Sequence, residues 1–295
     1  MNYYFLPGVG IFGGIKVGFQ FADMLNSLGI RIVVATPGAR GADWFKSSAA
    51  IVDRDLAIAS LTSRDAAFFS LPADYPPLRD SGAQLVFHCQ GTDPDIDQVL
   101  ADEAVLPLAC WTQAREYMEA AGRQAIDVGI SVSDCFFYDG TPKAATLVAY
   151  MPRRGADIAT ACMATCPELT FVAIDGAPEA EVSDVMKSAT YFLATSEGEW
   201  FGLPALEAMA SGCLVVSVPT LGGMEYLRDG SNSLIGERAH LPGLLSRLSD
   251  PSSASLRARL YAGSIAAASH YRTSLQADAL RLVLQSRLKG LSPWS

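Results

Sequence analysis

Apolar positions follow two rhythms along this chain. Short unbroken apolar runs alternate with stretches in which apolar residues recur every three or four places. "YYFLPG" reads as a strand. "IKVGFQFADMLNSLG" reads as a helix that stops at Gly29, a C-cap glycine. "IRIVVATPG" reads as a buried strand ended by Pro37-Gly38. "LAIASLT", "AAFFSLP", "QLVFHCQG" and "LPLACWT" read as further strands. Strands alternating with helices predict a parallel sheet covered by helices.

The pattern loosens around 126–145, where "DVGISVSDCFFYDGTPKAA" is turn-rich and reads as a linker. The rhythm then restarts: strand "TLVAYMP", a helix to Cys166, strand "LTFVAIDG", a helix to Ala189, strand "YFLATSE", helix "LPALEAMASG" and strand "CLVVSVP". The tail from Ser253 to Leu291 has helical spacing. The expected class is α/β, with two Rossmann-like, doubly wound domains at residues 1–132 and 133–275. A C-terminal helix over 276–295 is a candidate to pack back on the first domain.

Composition narrows the partners. The chain has 295 residues, enough for two compact domains, and half of them are apolar. The net charge is −9, which disfavours nucleic acid, whose binding rests on neutralising phosphates with Lys and Arg. The same charge gives no support to even weak association with an anionic membrane. None of the six cysteines forms a CxxC pair, so reduced, mostly buried thiols of a cytoplasmic protein are expected. No secretory leader and no membrane span are read.

Gly8, Gly10 and Gly13 in "FLPGVGIFGGIKVG" match G-x-G-x-x-G. A dinucleotide-binding unit also needs an acidic residue ending the second strand, to hold the ribose hydroxyls. That strand ends in Thr36-Pro37, which argues against NAD or FAD. What survives is Gly13 and Gly14, which let the backbone approach an anion at a helix start expected just after them.

The most specific stretch is "SEGEWFGLPALEAMASGCLVVSVPTLGGMEYL". Pro204 suits a first helical turn and Gly212 a helix exit, so "EWFG" sits between a strand's C-terminal end and a helix N-terminus. Ligands bind at that edge of doubly wound sheets. Glu199 on the loop and Glu207 in the helix can each accept hydrogen bonds from neutral hydroxyls. Helix capping and dipole compensation would place carboxylates there equally well.

The segment resembles the Glu-x7-Glu motif of retaining, nucleotide-sugar-dependent glycosyltransferases of the GT-B type. The residues that carry the likeness are Glu199, Phe201, Gly202, Leu203, Pro204, Glu207, Ala208, Met209, Ala210, Gly212, Gly222, Gly223 and Glu225. The strong similarity spans 191–230. The resemblance implies two facing Rossmann-like domains with the donor between them. It implies that Glu199 lies by the sugar hydroxyls and Glu207 holds the ribose. The amides of Phe201, Gly202 and Leu203 would face the sugar and diphosphate, which Gly13 and Gly14 approach from the other wall. It also implies a basic pair after the first strand of the second domain, here Arg153 and Arg154 in "YMPRRG". Relatives show an Arg followed several residues later by a Lys. Position 158 is Ile, and Arg154 is the candidate for the lysine's part.

His88 ends "QLVFH", where family members often carry a His near the sugar, and it is taken as a catalytic candidate with Arg153, Arg154 and Glu199. Asp93, Asp95 and Asp97 alternate in "GTDPDIDQ" but read as the start of a helix, so no metal and no cofactor are expected. The expected activity is transfer of a sugar, with retention, from a nucleotide-sugar to a glycan, lipid-linked or small-molecule acceptor. An epimerase or phosphorylase on the same scaffold, or a non-catalytic subunit, is the alternative.

Overall fold

The computed structural model describes residues 1–286. It separates into two compact units, one made of residues 1–130 plus 276–286, the other of residues 131–275. The boundary at 130 falls inside the turn-rich stretch.

The first unit runs β1 (Asn2–Phe5), α1 (Gly13–Ser27), β2 (Ile32–Thr36), β3 (Ile51–Asp53), α2 (Arg54–Ser60), β4 (Ala66–Phe69), α3 (Tyr75–Arg79), β5 (Gln84–Cys89), α4 (Asp97–Leu100), β6 (Leu106–Ala109), α5 (Thr112–Ala120) and β7 (Ile126–Asp127). Its seven strands form one sheet in the order β3-β2-β1-β4-β5-β6-β7, every pair parallel. Strands β2 and β4 are buried along their whole length, as helix-covered parallel strands must be. Helix α1 buries Ile15, Phe19, Ala22 and Leu25, residues three or four apart, against this sheet. Gly29, at φ +88°, supplies the left-handed residue after the helix end.

Two local expectations are corrected. "LAIASLT" is not a strand: Asp53 accepts hydrogen bonds from the amides of Asp55 and Leu56 and starts helix α2 there, with Leu56 left exposed. Helix α1 begins at Gly13 itself, so Gly13 and Gly14 are its first helical residues, not a loop before it.

The second unit runs β8 (Ala144–Tyr150), α6 (Ala156–Thr165), β9 (Thr170–Ala173), α7 (Glu179–Ser188), β10 (Ala189–Ala194), α8 (Leu203–Ala210), β11 (Leu214–Ser217), β12 (Ser233–Ile235), α9 (Leu241–Ser249) and α10 (Ala254–Ser269). Its five parallel strands lie in the order β12-β11-β10-β8-β9. From β8 the chain moves outward to β9, and from β10 outward the other way to β11. The gap between β8 and β10 is therefore the switch point, where the loops above the strands diverge.

The tail of helical spacing divides in two. A turn at 270–272, where Arg272 bridges to Val132, separates α10 from α11 (Thr273–Ser286). Leu280 of α11 is fully buried in the core of the first unit, with Ala277 and Val283 packed against it. The expected helix over 287–295 lies outside the described residues.

Candidate functional site

The switch point of the second unit gathers the strongest candidates. Beyond β8 the chain turns through Met151 and Pro152 to the exposed Arg153 and Arg154. Gly155 closes the turn at φ +81°, and a Cβ there would lie 2.6 Å from both the Cβ and the carbonyl oxygen of Thr195. Thr195 Oγ1 donates to the Arg154 carbonyl at 2.6 Å. The loops after β8 and β10 are thus stitched together, and Arg154 Nη1 comes to 3.3 Å from Glu199 Oε1.

The Glu199 loop is held by its neighbours. Leu221 N–H donates to the Glu199 carbonyl at 3.0 Å, and the Gly222 and Gly223 amides both donate to the Trp200 carbonyl. Gly223 has no space for a side chain, because a Cβ would overlap the Phe201 carbonyl and Thr220 Oγ1. Gly202 caps α8 at φ +77°, and Pro204 stands in the first turn, where no N–H is needed. The Tyr226 hydroxyl donates to the Gly202 carbonyl at 2.6 Å. Burial, with the nearby Tyr271, Glu207 and Glu199, holds that hydroxyl's pKa well above the ordinary tyrosine value, so it stays a donor. Phe201 is buried against Tyr226 and Tyr271, with ring centroids at 5.2 and 5.8 Å. Tyr271 in turn donates to Glu225 Oε1 at 3.1 Å.

This scaffold leaves specific groups available. The N–H groups of Gly202 and Leu203 make no hydrogen bond among the described residues. Glu199 is one-third exposed, whereas Glu207, in the third position after Pro204 on α8, is only 6% exposed. A cavity of about 710 Å³ opens beside this loop, lined by Asp157, Glu197, Pro219, Glu237 and Arg238. Arg238 already spans two of those carboxylates, Asp157 and Glu197. Among the described residues no group of His, Cys, Asp and Glu side chains is arranged to hold a metal ion.

The remaining candidates lie in the first unit. The amides of Gly13 and Gly14 make no hydrogen bond among the described residues, and no side chain caps α1. His88 does not face a ligand, contrary to expectation. Its ring is fully buried, with Nδ1 2.8 Å from the Tyr4 hydroxyl and Nε2 3.0 Å from Cys110 Sγ. Burial lowers its pKa to about 3, so it is a neutral core histidine. The side chain from this strand end that does reach the α1 start is Gln90, two residues on, which pattern reading passed over. Tyr226 and Thr195 were passed over as well, because their roles depend on which loops fold together. Asp97 begins α4, as its sequence position suggested, and accepts from Tyr117 at 2.8 Å. The cysteines are all free, and only Cys135 is exposed. No helix among the described residues is long and apolar enough to cross a membrane.

The architecture is that of GT-B glycosyltransferases: two parallel-sheet α/β domains of Rossmann type. Sucrose-phosphate synthase from Thermosynechococcus elongatus superposes with a TM-score of 0.72 at 13% identity, over 98% of this chain and 99% of that one. The Anabaena protein HepE, solved with UDP and glucose, gives 0.70 at 14% identity, over 97% and 99%. Residues 171–245 match the family "Glycosyl transferases group 1". A 72-residue stretch is 39% identical to an alpha-1,6-glucosyltransferase of Actinobacillus pleuropneumoniae. That match covers 23% of this chain and 22% of the relative's length.

Proposed function

We propose that this chain is a retaining, metal-independent glycosyltransferase that uses a nucleotide-sugar donor. The observation that carries the reading is the meeting of Arg154 and Glu199 at the switch point of the second unit. It joins the basic turn to the motif loop, and residues 171–245, which match group 1 glycosyl transferases, contain both motif glutamates. HepE solved with UDP-glucose and the pneumococcal O-GlcNAc transferase solved with UDP and GlcNAc support a UDP-sugar donor.

In this reading Glu207 holds the ribose hydroxyls and Glu199 the sugar. The amides of Phe201, Gly202 and Leu203 meet the diphosphate. Arg153 and Arg154 neutralise charge as the bond between the anomeric carbon and the diphosphate oxygen breaks. The acceptor oxygen bonds to the same face of the anomeric carbon, and its proton passes to the departing phosphate. No protein base is needed, which is consistent with the enclosure of His88. The acceptor is a hydroxyl of a glycan, lipid-linked or small molecule, and the protein works in the cytoplasm.

Incubation of the purified protein with UDP-glucose, GDP-mannose and ADP-glucose, followed by proton NMR, tests this. Release of UDP from UDP-glucose with α-glucose as the first sugar product is expected. β-Glucose first would overturn retention, and no nucleotide release from any donor would overturn the activity.

A further inference from the structure

Among the side chains lining the cavity beside the Glu199 loop, Arg238 has no part in the proposed mechanism. It lies in the turn between β12 and α9, three residues before Leu241, which is fully buried in the core of the second unit. Its Nη2 meets Asp157 Oδ2, and its Nη1 lies 3.1 Å from Glu197 Oε2. Asp157 stands in the first turn of α6, three residues after Arg154 and just before the buried Ile158. Glu197 stands two residues before Glu199. One guanidinium therefore joins the two loops that carry Arg154 and Glu199.

The ends of this bridge are not equally fixed. Asp157 and Arg238 are each rooted near a core residue, and Ile158 and Leu241 belong to the same apolar cluster. Glu197 has no such root. It is exposed, and the adjacent Gly198, at φ +71°, has open space where a side chain would stand. The Leu221 amide fixes the Glu199 carbonyl but not the turn before it. Arg238 ties that turn to the α6 start.

All three charged side chains are exposed, and ion pairs of that kind add little to the folding free energy. What Arg238 supplies is charge balance at short range. Without it two carboxylates that now share one guanidinium repel each other, and the loosely packed Glu197 turn is the end that yields. Its retreat carries Glu199 away from Arg154. A lysine keeps the charge, but a point charge does not span two carboxylates as a planar fork does.

We infer that Arg238 is a positioning residue for sugar transfer: by bridging Asp157 and Glu197 it holds the Glu199 loop against the Arg154 turn, so that carboxylate and guanidinium are in place when the donor binds. The inference rests on the nucleotide-sugar reading above. Arg238 touches no reacting group and acts through Glu199.

Rates of UDP release from UDP-glucose, calorimetric titration with UDP and thermal melts test the inference. The proteins compared are wild type, Arg238→Ala, Arg238→Lys, Glu199→Gln and the double variant Arg238→Ala with Glu199→Gln. Arg238→Ala is expected to lower kcat about tenfold, because a small misplacement of a positioned group is costly. Its UDP affinity should stay within twofold of wild type and its melting temperature close to it, which also shows that it has folded. Arg238→Lys should recover part of the lost kcat. In the Glu199→Gln background, Arg238→Ala should cost less than twofold more, because the residue it positions is already disabled. Wild-type kcat in Arg238→Ala would overturn the inference. A fall in UDP affinity as large as the fall in kcat would overturn it too, by making the bridge a general support of the unit. A full tenfold loss on top of Glu199→Gln would overturn the action through Glu199. Failure of wild type to release UDP would overturn the UDP-sugar reading itself.

Discussion

Arg154 Nη1 and Glu199 Oε1 lie 3.3 Å apart, at the ends of loops that leave adjacent strands in opposite directions. Both side chains are substantially exposed, so the pair adds little stability. Its significance is positional, since it brings one guanidinium to the carboxylate assigned to the sugar. Arg154→Ala is expected to lower kcat by about 10²–10³-fold, the usual cost of one preorganised charge-stabilising donor. Its melting temperature should stay near that of wild type. Steady-state kinetics with UDP-glucose, alongside thermal melts, check this, and wild-type turnover would reduce Arg154 to a surface residue.

The two motif carboxylates should separate kinetically. Glu207 is assigned to a part of the donor that does not change during reaction, so Glu207→Gln should raise the donor KM and spare most of kcat. Glu199→Gln should lower kcat and leave binding of UDP, which has no sugar, within about twofold. The reverse pattern would exchange their roles.

Gly223 packs against the Phe201 carbonyl, a backbone group with little freedom to move. Gly223→Ala should therefore cost about 1–3 kcal/mol through overpacking, read as a lower urea midpoint. Because the same turn holds the Glu199 loop through the Trp200 carbonyl, UDP-glucose affinity should fall with it. Unchanged stability would show that the two turns are less tightly joined than the geometry implies.

His88 gives a signed pH dependence. Its folded pKa of about 3 lies below the ordinary histidine value, so the unfolded chain binds more protons between about pH 3 and 6.5. Its contribution is fully present above pH 6.5 and is lost as pH falls through that window. At pH 5 the loss is about 2 kcal/mol, and His88→Gln should lack it. Urea titrations of both proteins at pH 7.5 and 5 give the comparison; parallel losses in both would contradict the enclosure of the ring.

The periodicity of the chain made both parallel sheets legible, because buried parallel strands such as β2 and β4 are unbroken apolar runs. It misassigned "LAIASLT", where an Asp53 cap outweighed an apolar run rich in alanine. It also missed the three-residue strands β3 and β12, too short to show a period. In the site, the Glu199–Glu207 spacing was visible because one loop and one helix carry both residues. Tyr226, Thr195 and Gln90 were not visible, since each acts on a residue more than twenty positions away. The burial of His88 was hidden for the same reason: nothing in "QLVFH" tells that Tyr4 and Cys110 close over the ring.

Chelation offers an independent check on the proposed chemistry. With Arg153 and Arg154 neutralising the leaving diphosphate, EDTA should leave turnover of UDP-glucose unchanged. Loss of activity that Mn²⁺ or Mg²⁺ restores would assign that charge to a metal instead.

The central claim is that the second unit holds a nucleoside diphosphate through Glu207 and the α8 start. Calorimetric titration of wild type and Glu207→Gln with UDP, and of wild type with NADH, tests it most directly. The account predicts that UDP binds wild type, that Glu207→Gln weakens it by about tenfold or more, and that NADH does not bind. Binding of NADH but not UDP, or equal affinity of both proteins for UDP, would contradict it.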